Sequence, residues 1–204
     1  EAALNAQTPE IAEAQRLWEE GLRRAERDWT PLVPHAATAT HGVRLELQPD
    51  GSVLASGPNP ELTTYTVTAT AATPGLTGLR LEVLPDPSLP RGGPGRDAYG
   101  HFRVTGLRVD VAPASDPDAA TPLPLDTVKV NDFAYAFQPG DLSGKAPAAY
   151  GRKRGSWAVN AMRDGTRVPR HAVLRAAQPF GFAGGTRITV TIDHLDGTIG
   201  QGIG

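Results

Sequence analysis

"TTYTVTAT", residues 63–70, sets Tyr65, Val67 and Ala69 on one side of an extended chain and threonines on the other. Successive strand side chains point to opposite faces, so this period of two predicts a β-strand with one buried and one polar face. The pattern spreads outward from there. "LTGLRLEVL" (76–84) turns Leu79, Leu81 and Val83 inward, and "HFRVTGLRVDV" (101–111) turns Phe102, Val104 and Leu107 inward but breaks step at Thr105-Gly106, as a β-bulge would. Upstream, "VRLELQ" (43–48) and "SVLAS" (52–56) flank Pro49-Asp50-Gly51, where Asp-Gly suits a tight hairpin turn. Downstream lie "DTVKVNDFAYAF" (126–137), "SWAVNAM" (156–162), "RHAVLRA" (170–176) and "TRITVTIDH" (186–194). "APASDPDAATPLPL" (112–125) has no periodicity and a length that suits a crossing between two sheets.

About nine short strands with no helix between them exclude a parallel βαβ sheet. The chain is expected to be all-β, an antiparallel jelly-roll-like β-sandwich over residues 29–204. One N-terminal α-helix precedes it, a helical lead within residues 1–28. Thr8 caps that helix, Pro9 suits its first turn, and Ile11, Leu17, Trp18, Leu22 and Ala25 recur at helical spacing. Glu10 and Glu13 near its start and Arg23, Arg24 and Arg27 near its end follow the helix dipole, and Trp18 is expected to dock it.

Composition narrows function by exclusion. Twenty basic against twenty-two acidic residues leave a formal net charge of −2, too little field to gather nucleic acid. No apolar run reaches the roughly 20 residues of a membrane span, and "EAALNAQTPE" lacks a signal-peptide profile, so an export signal is expected to lie outside this stretch. The absence of cysteine removes disulfides, thiol nucleophiles, Cys-ligated zinc and a CxxCH haem site.

Few motifs survive inspection. "GDLSGKA" (140–146) has three residues between its glycines where a phosphate loop needs four, and Ala146 stands where a hydroxyl would bind magnesium. "GQGIG" (200–204) lacks the strand and helix of a dinucleotide fold and reads as a turn leading into something. His35, His41, His101, His171 and His194 share no metal spacing, and no GxSxG elbow is present. Asp193 and Asp196 are neighbouring carboxylates, but "DHLDG" reads better as a solvated turn than as a glycosidase pair. "GRKRG" (151–155), flanked by Tyr150 and Trp157, is a basic cluster that suits sulfate, phosphate or an acidic polysaccharide, or is a plain exposed turn. Calcium would draw on Asp86, Asp97, Asp132 and Asp141, although no ligand-loop spacing joins them.

The stretch "VLPDPSLPRGGPGRDAYGHF" (83–102) is the most unusual. Its prolines keep 84–90 extended, and Gly92, Gly93 and Gly95 permit a reversal that presents Arg91, Arg96, Asp97, Tyr99 and His101 together at a sandwich edge. A purely structural reading has the same glycines and prolines steer the chain, with Arg96 paired to Asp86 or Asp97.

"DGSVLASGPNPELTTYTVTAT", "LTGLRLEVLPDPSLPRGGPGR", "HFRVTGLRV", "SWAV", "RHAVL" and "FAGGTRITVTID", in this order, resemble the β-sandwich module of large secreted planctomycete proteins. Those proteins also carry a planctomycete-type cytochrome c domain and planctomycete-specific domains of unknown function. The resemblance runs from about Trp29 to the end, and "TPEIAEAQRLWE" resembles the family's preceding helix. It implies an extracytoplasmic setting and a galactose-binding-like or discoidin-like sandwich whose loops hold sugars and sometimes calcium, without catalysis. Two departures stand out: "AAYGRKRGSWAV" replaces an acidic turn, and Ala98-Tyr99-Gly100-His101-Phe102 replaces an "NGNF"-like loop. Members also continue into a final strand beyond the position of Gly204, so an open edge is expected beside "TRITVTID".

The expectation is therefore a non-catalytic carbohydrate-binding or cell-surface adhesion module. Its contacts are Arg91, Arg96, Asp97, Tyr99 and His101, with Tyr150, Arg152, Arg154 and Trp157 as an aromatic and basic set. A structural module that docks neighbouring domains or subunits of a cytochrome-associated surface protein is the alternative, and a hydrolase without a recognisable motif is a third reading.

Overall fold

The structure is a computed structural model that describes residues 9, 11–17, 29–131, 156–195 and 200–204. The chain separates into two compact units, Glu1–Pro31 and Leu32–Gly204, a boundary slightly later than the one expected at residue 28. In the first unit residues 11–17 are helical, and Arg16 pairs with Glu13 one turn away at 2.7 Å. Thr8, Trp18 and the arginines at 23, 24 and 27 lie outside the described residues.

The second unit is a β-sandwich. Its strands are β1 (Pro34–Ala39), β2 (Arg44–Leu47), β3 (Val53–Ser56), β4 (Thr63–Ala71), β5 (Leu76–Val83), β6 (Arg103–Val104), β7 (Gly106–Pro113), β8 (Thr121–Pro122), β9 (Leu125–Val130), β10 (Trp157–Ala158), β11 (Arg170–Phe180) and β12 (Thr186–His194). One sheet has the order β1-β4-β12-β7-β8 and a second the order β5-β11-β9, with β2-β3 and β10-β6 as shorter pairs. Every ladder is antiparallel.

The winding is that of a jelly roll. Along the chain β4, β5, β7 and β9 alternate between the two large sheets, and the returning strands nest between them: β11 enters between β5 and β9, β12 between β4 and β7. The linker at 112–125 makes the expected crossing, since β8 pairs with β7 in one sheet and β9 joins the other.

The two-residue period seats the core. Tyr65, Ala69 and Ala71 of β4 are buried, as are Ile188 and Ile192 of β12 and Leu107, Val109 and Val111 of β7. The largest fully buried side chains are Trp157 and Phe102, whose rings meet edge to face at 4.8 Å and 85°. Burying side chains of this class contributes about 1.5–3 kcal/mol each.

Two local expectations hold. Gly51 has φ +85 and donates to Gln48 at 3.0 Å, while the Ser52 amide and hydroxyl donate to the Asp50 carboxylate at 2.9 and 2.7 Å, closing the β2–β3 hairpin. The break between β6 and β7 falls at Thr105, whose amide and hydroxyl both donate to the Asp193 carbonyl, at 2.7 and 3.0 Å.

Others need correction. "SWAVNAM" forms a strand only at Trp157–Ala158, after which the Met162 amide caps onto the Asn160 side chain at 2.9 Å and turns the chain. The open edge expected beside "TRITVTID" does not exist, because β12 is central and pairs with β4 on one side and β7 on the other. β1 and β8 were not anticipated. "PHAATA" has alanines on both faces, and β8 is a two-residue edge whose Pro122 cannot donate.

Candidate functional site

The proline-rich excursion between β5 and β6 folds back on itself. Leu89 and Gly92 head a tight turn, with Gly92 and Gly93 donating to Leu89 and Pro90 at 2.9 and 3.1 Å, and Arg91 and Gly92 take φ +55 and +64. A second reversal has Gly95 donate to Gly100 at 3.0 Å and Gly100 to Asp97 at 2.9 Å. The limbs cross backbone on backbone. A Cβ on Gly93 would lie 2.7 Å from the Gly100 Cα, and one on Gly95 would overlap the His101 carbonyl. Gly92 thus supplies backbone angle, whereas Gly93 and Gly95 supply closeness.

Asp97 organises this fold from within. It is 3% exposed, and its Oδ1 accepts the amides of Tyr99 and His101, each at 2.8 Å. Its Oδ2 faces His101 Nδ1 and the Gln201 amide nitrogen, both at 3.4 Å. A buried carboxylate held by backbone N–H groups is charge-assisted and rigid, and leaves no lone pair free for a ligand outside.

Arg96 is also turned inward. Its Nη2 donates to the Gly57 carbonyl at 2.8 Å, while Nη1 is buried with no partner among the described residues. It pairs with neither Asp86 nor Asp97, contrary to the structural reading of the sequence. Instead it lies beside the Tyr65 hydroxyl, which burial pushes above its ordinary pKa while the guanidinium pulls the other way. The Asp86 carboxylate is taken by the Ser88 amide and hydroxyl at 2.8 and 2.6 Å, bonds that hold it below the usual carboxylate range.

Behind Tyr65 stands His194, 3% exposed, its ring edge-on at 4.9 Å. Its Nδ1 donates to the Arg103 carbonyl at 2.6 Å and Nε2 has no partner among the described residues, so burial above all lowers its pKa to about 4. This side chain is a neutral part of the fold at pH 7.

What reaches solvent is smaller than the sequence reading suggested. Tyr99 is 42% exposed, the Arg91 guanidinium carbon lies 4.8 Å from its ring centroid, and the His101 ring lies 5.7 Å away at 32°. Arg91, Tyr99 and His101 are therefore brought together in one stack over the Asp97 turn, with Tyr99 its exposed face; the His101 side chain is only 19% exposed, its Nδ1 turned to Asp97 and its Nε2 buried. Arg96 and Asp97 sit beneath it as supports.

The second expected set divides differently. Trp157 is 0% exposed in the core against Phe102, so it cannot serve as an open sugar platform, and that expectation is corrected. Tyr150, Arg152 and Arg154 lie outside the described residues, as do Asp132, Asp141 and Asp196. The segment does enter the fold beside the loop: Trp157 pairs with Val104, and Arg103 Nε donates to Ser156 Oγ at 3.3 Å. Asp193 is a buried member of β12 and forms an ion pair with Arg108 and a 2.9 Å bond from the Thr64 hydroxyl, not part of a solvated turn. Among the described residues no group of three or more His, Asp or Glu converges on a metal position.

Sequence reasoning missed Asn59, Arg103 and Gln201. Asn59 Nδ2 donates at 2.7 Å to both the Arg96 and the Gly200 carbonyls, binding loop to C-terminal segment. "GPNPE" carries no signal for so distant a pairing.

The chain matches no family model, no curated protein and no solved structure. The site's own geometry is thus the ground for a functional reading.

Proposed function

We propose that the chain is a non-catalytic glycan-binding or cell-surface adhesion module of a larger extracytoplasmic protein, with Arg91, Tyr99 and His101 as its contact surface. The observation that carries this reading is an exposed tyrosine with a guanidinium 4.8 Å from its ring centroid and a tilted imidazole beside it, on a loop whose backbone is locked by a buried carboxylate. Pre-ordering of this kind spares a ligand the entropic cost of fixing the loop. Stacking surface plus a few directed polar groups is the chemistry that recognises sugars, and Arg91 favours those bearing sulfate or carboxylate. The extracytoplasmic setting rests on the resemblance of "LTGLRLEVLPDPSLPRGGPGR" and its companion segments to the planctomycete module. The alternative, docking of neighbouring domains or subunits, draws on the helical lead and on an unfilled strand edge; β12 itself is central and offers no such edge.

The test is a glycan array followed by pull-down on neutral and sulfated polysaccharides, using wild type, Tyr99→Ala and Arg91→Ala. Retention of wild type on an anionic glycan, with a loss of at least about tenfold in either variant, is expected. Binding to no glycan, or equal binding by Tyr99→Ala, overturns the reading.

A further inference from the structure

"GQGIG" is neither a turn nor a loose tail. Four consecutive carbonyls accept hydrogen bonds from four separate parts of the fold: Gly200 from Asn59 Nδ2 at 2.7 Å, Gln201 from the Arg103 amide at 2.8 Å, Gly202 from the Arg96 amide at 3.0 Å, and Ile203 from the Tyr65 hydroxyl at 3.2 Å. The Gly204 amide donates to Pro94 at 3.0 Å, and Gly95 and Ile203 form an antiparallel bridge. Ile203 is 8% exposed and belongs to the hydrophobic core.

The fit selects sequence as well as shape. A Cβ at position 202 would lie 2.5 Å from the Tyr65 hydroxyl, and one at 200 would run into Asn59. Gln201 reaches the Asp97 carboxylate and Ile203 fills an apolar hole, so the slot specifies glycine, a polar side chain, glycine and an aliphatic side chain in order. The walls are held without the segment. Asp97 cages the Tyr99 and His101 amides, the Arg96 guanidinium is tied to Gly57, and β6 is paired with β10.

We infer that residues 94–97 and 103, with Asn59 and Tyr65, form a recognition slot for an extended Gly-x-Gly-aliphatic peptide segment, filled in cis by Gly200–Ile203. Main-chain hydrogen bonds supply affinity and the side-chain fit supplies selectivity, as in other additions of a peptide to a sheet edge. The slot stands apart from the glycan reading, since no ligand on the Tyr99 stack is needed for it.

Amide hydrogen exchange of the full chain tests it, because the Arg96 and Arg103 amides report occupancy directly. Gly202→Ala is expected to lower protection at these two amides by about tenfold or more while the β4–β12 ladder stays protected. Adding the free peptide Gly-Gln-Gly-Ile-Gly should restore protection, and Gly-Gln-Ala-Ile-Gly should not. If Gly202→Ala fails to fold, Ile203→Ala serves in its place, because it weakens the segment and leaves the slot's walls unchanged. The inference is overturned if the peptide restores nothing, if both peptides act alike, if the ladder loses protection in parallel, or if neither variant folds.

Discussion

The five-stranded sheet and the loop between β5 and β6 bury polar groups by opposite means. In β4, β12 and β7 the backbone satisfies itself strand against strand, and the inward side chains at their middle, from Tyr65 and Ala69 to Leu107, Val109, Val111 and Ile188, are mostly apolar. In the loop, satisfaction comes from one carboxylate, one arginine and one asparagine, each bonded to backbone far away in sequence or across a tight turn. A sheet tolerates substitution because no single group is indispensable. The loop should be brittle locally and nearly silent globally.

The sharpest way to break that contrast is in the core. Trp157→Ala should destabilise by about 3–5 kcal/mol in urea unfolding, because it leaves a cavity against Phe102. A small loss would mean that Trp157 behaves as a surface residue after all.

Next in size is a pH effect at the seam where sheet meets loop. His194 has a folded pKa of about 4 against an ordinary 6.5, so between these values the unfolded chain holds a proton that the folded chain does not. Stability contributed by the neutral ring is fully present above pH 6.5, falls as pH drops toward 4, and is flat below. The loss should be on the order of 3 kcal/mol. Urea midpoints of wild type and His194→Gln across pH 4–7 check it: the variant should lack that part of the slope, and parallel curves would refute the assignment.

Asp97→Ala should cost about 1–3 kcal/mol, with its effect confined to exchange at Tyr99 and His101. Asp97→Asn keeps an acceptor and should cost less. Uniform loss of protection across both sheets would show the loop to be part of the sandwich's own cooperativity. Smallest of all, Tyr99→Ala should change stability by no more than about 0.5 kcal/mol while abolishing glycan retention.

The same contrast explains what was legible beforehand. β4 and β12 follow directly from "TTYTVTAT" and "TRITVTIDH", because a period of two with β-branched residues is a local property, and Pro49-Asp50-Gly51 is local in the same way. β1 was hidden because alanine marks neither face. In the loop, the grouping of Arg91, Tyr99 and His101 could be anticipated from the glycines that let the chain reverse between them. The role of Arg96 could not, since its partner at Gly57 arrives only through tertiary folding; the bonds of Asp97 to the Tyr99 and His101 amides are local, but its burial is not. Trp157 misled for a related reason: beside "GRKRG" it reads as surface, and the ring packed against it, Phe102, comes from a segment 55 residues earlier, just before β6.

The central position of β12 has a consequence for the order of events at the ribosome. β4 and β7 are made before the strand that joins them, residues 186–194, so a strand-wide gap separates their facing edges while the 72 residues between β7 and β12 are added. Pairing across so long a stretch is slow, and such edges invite self-association while they wait. This topology makes completion of the five-stranded sheet wait on the β12 residues, whatever the neighbouring strands have already done.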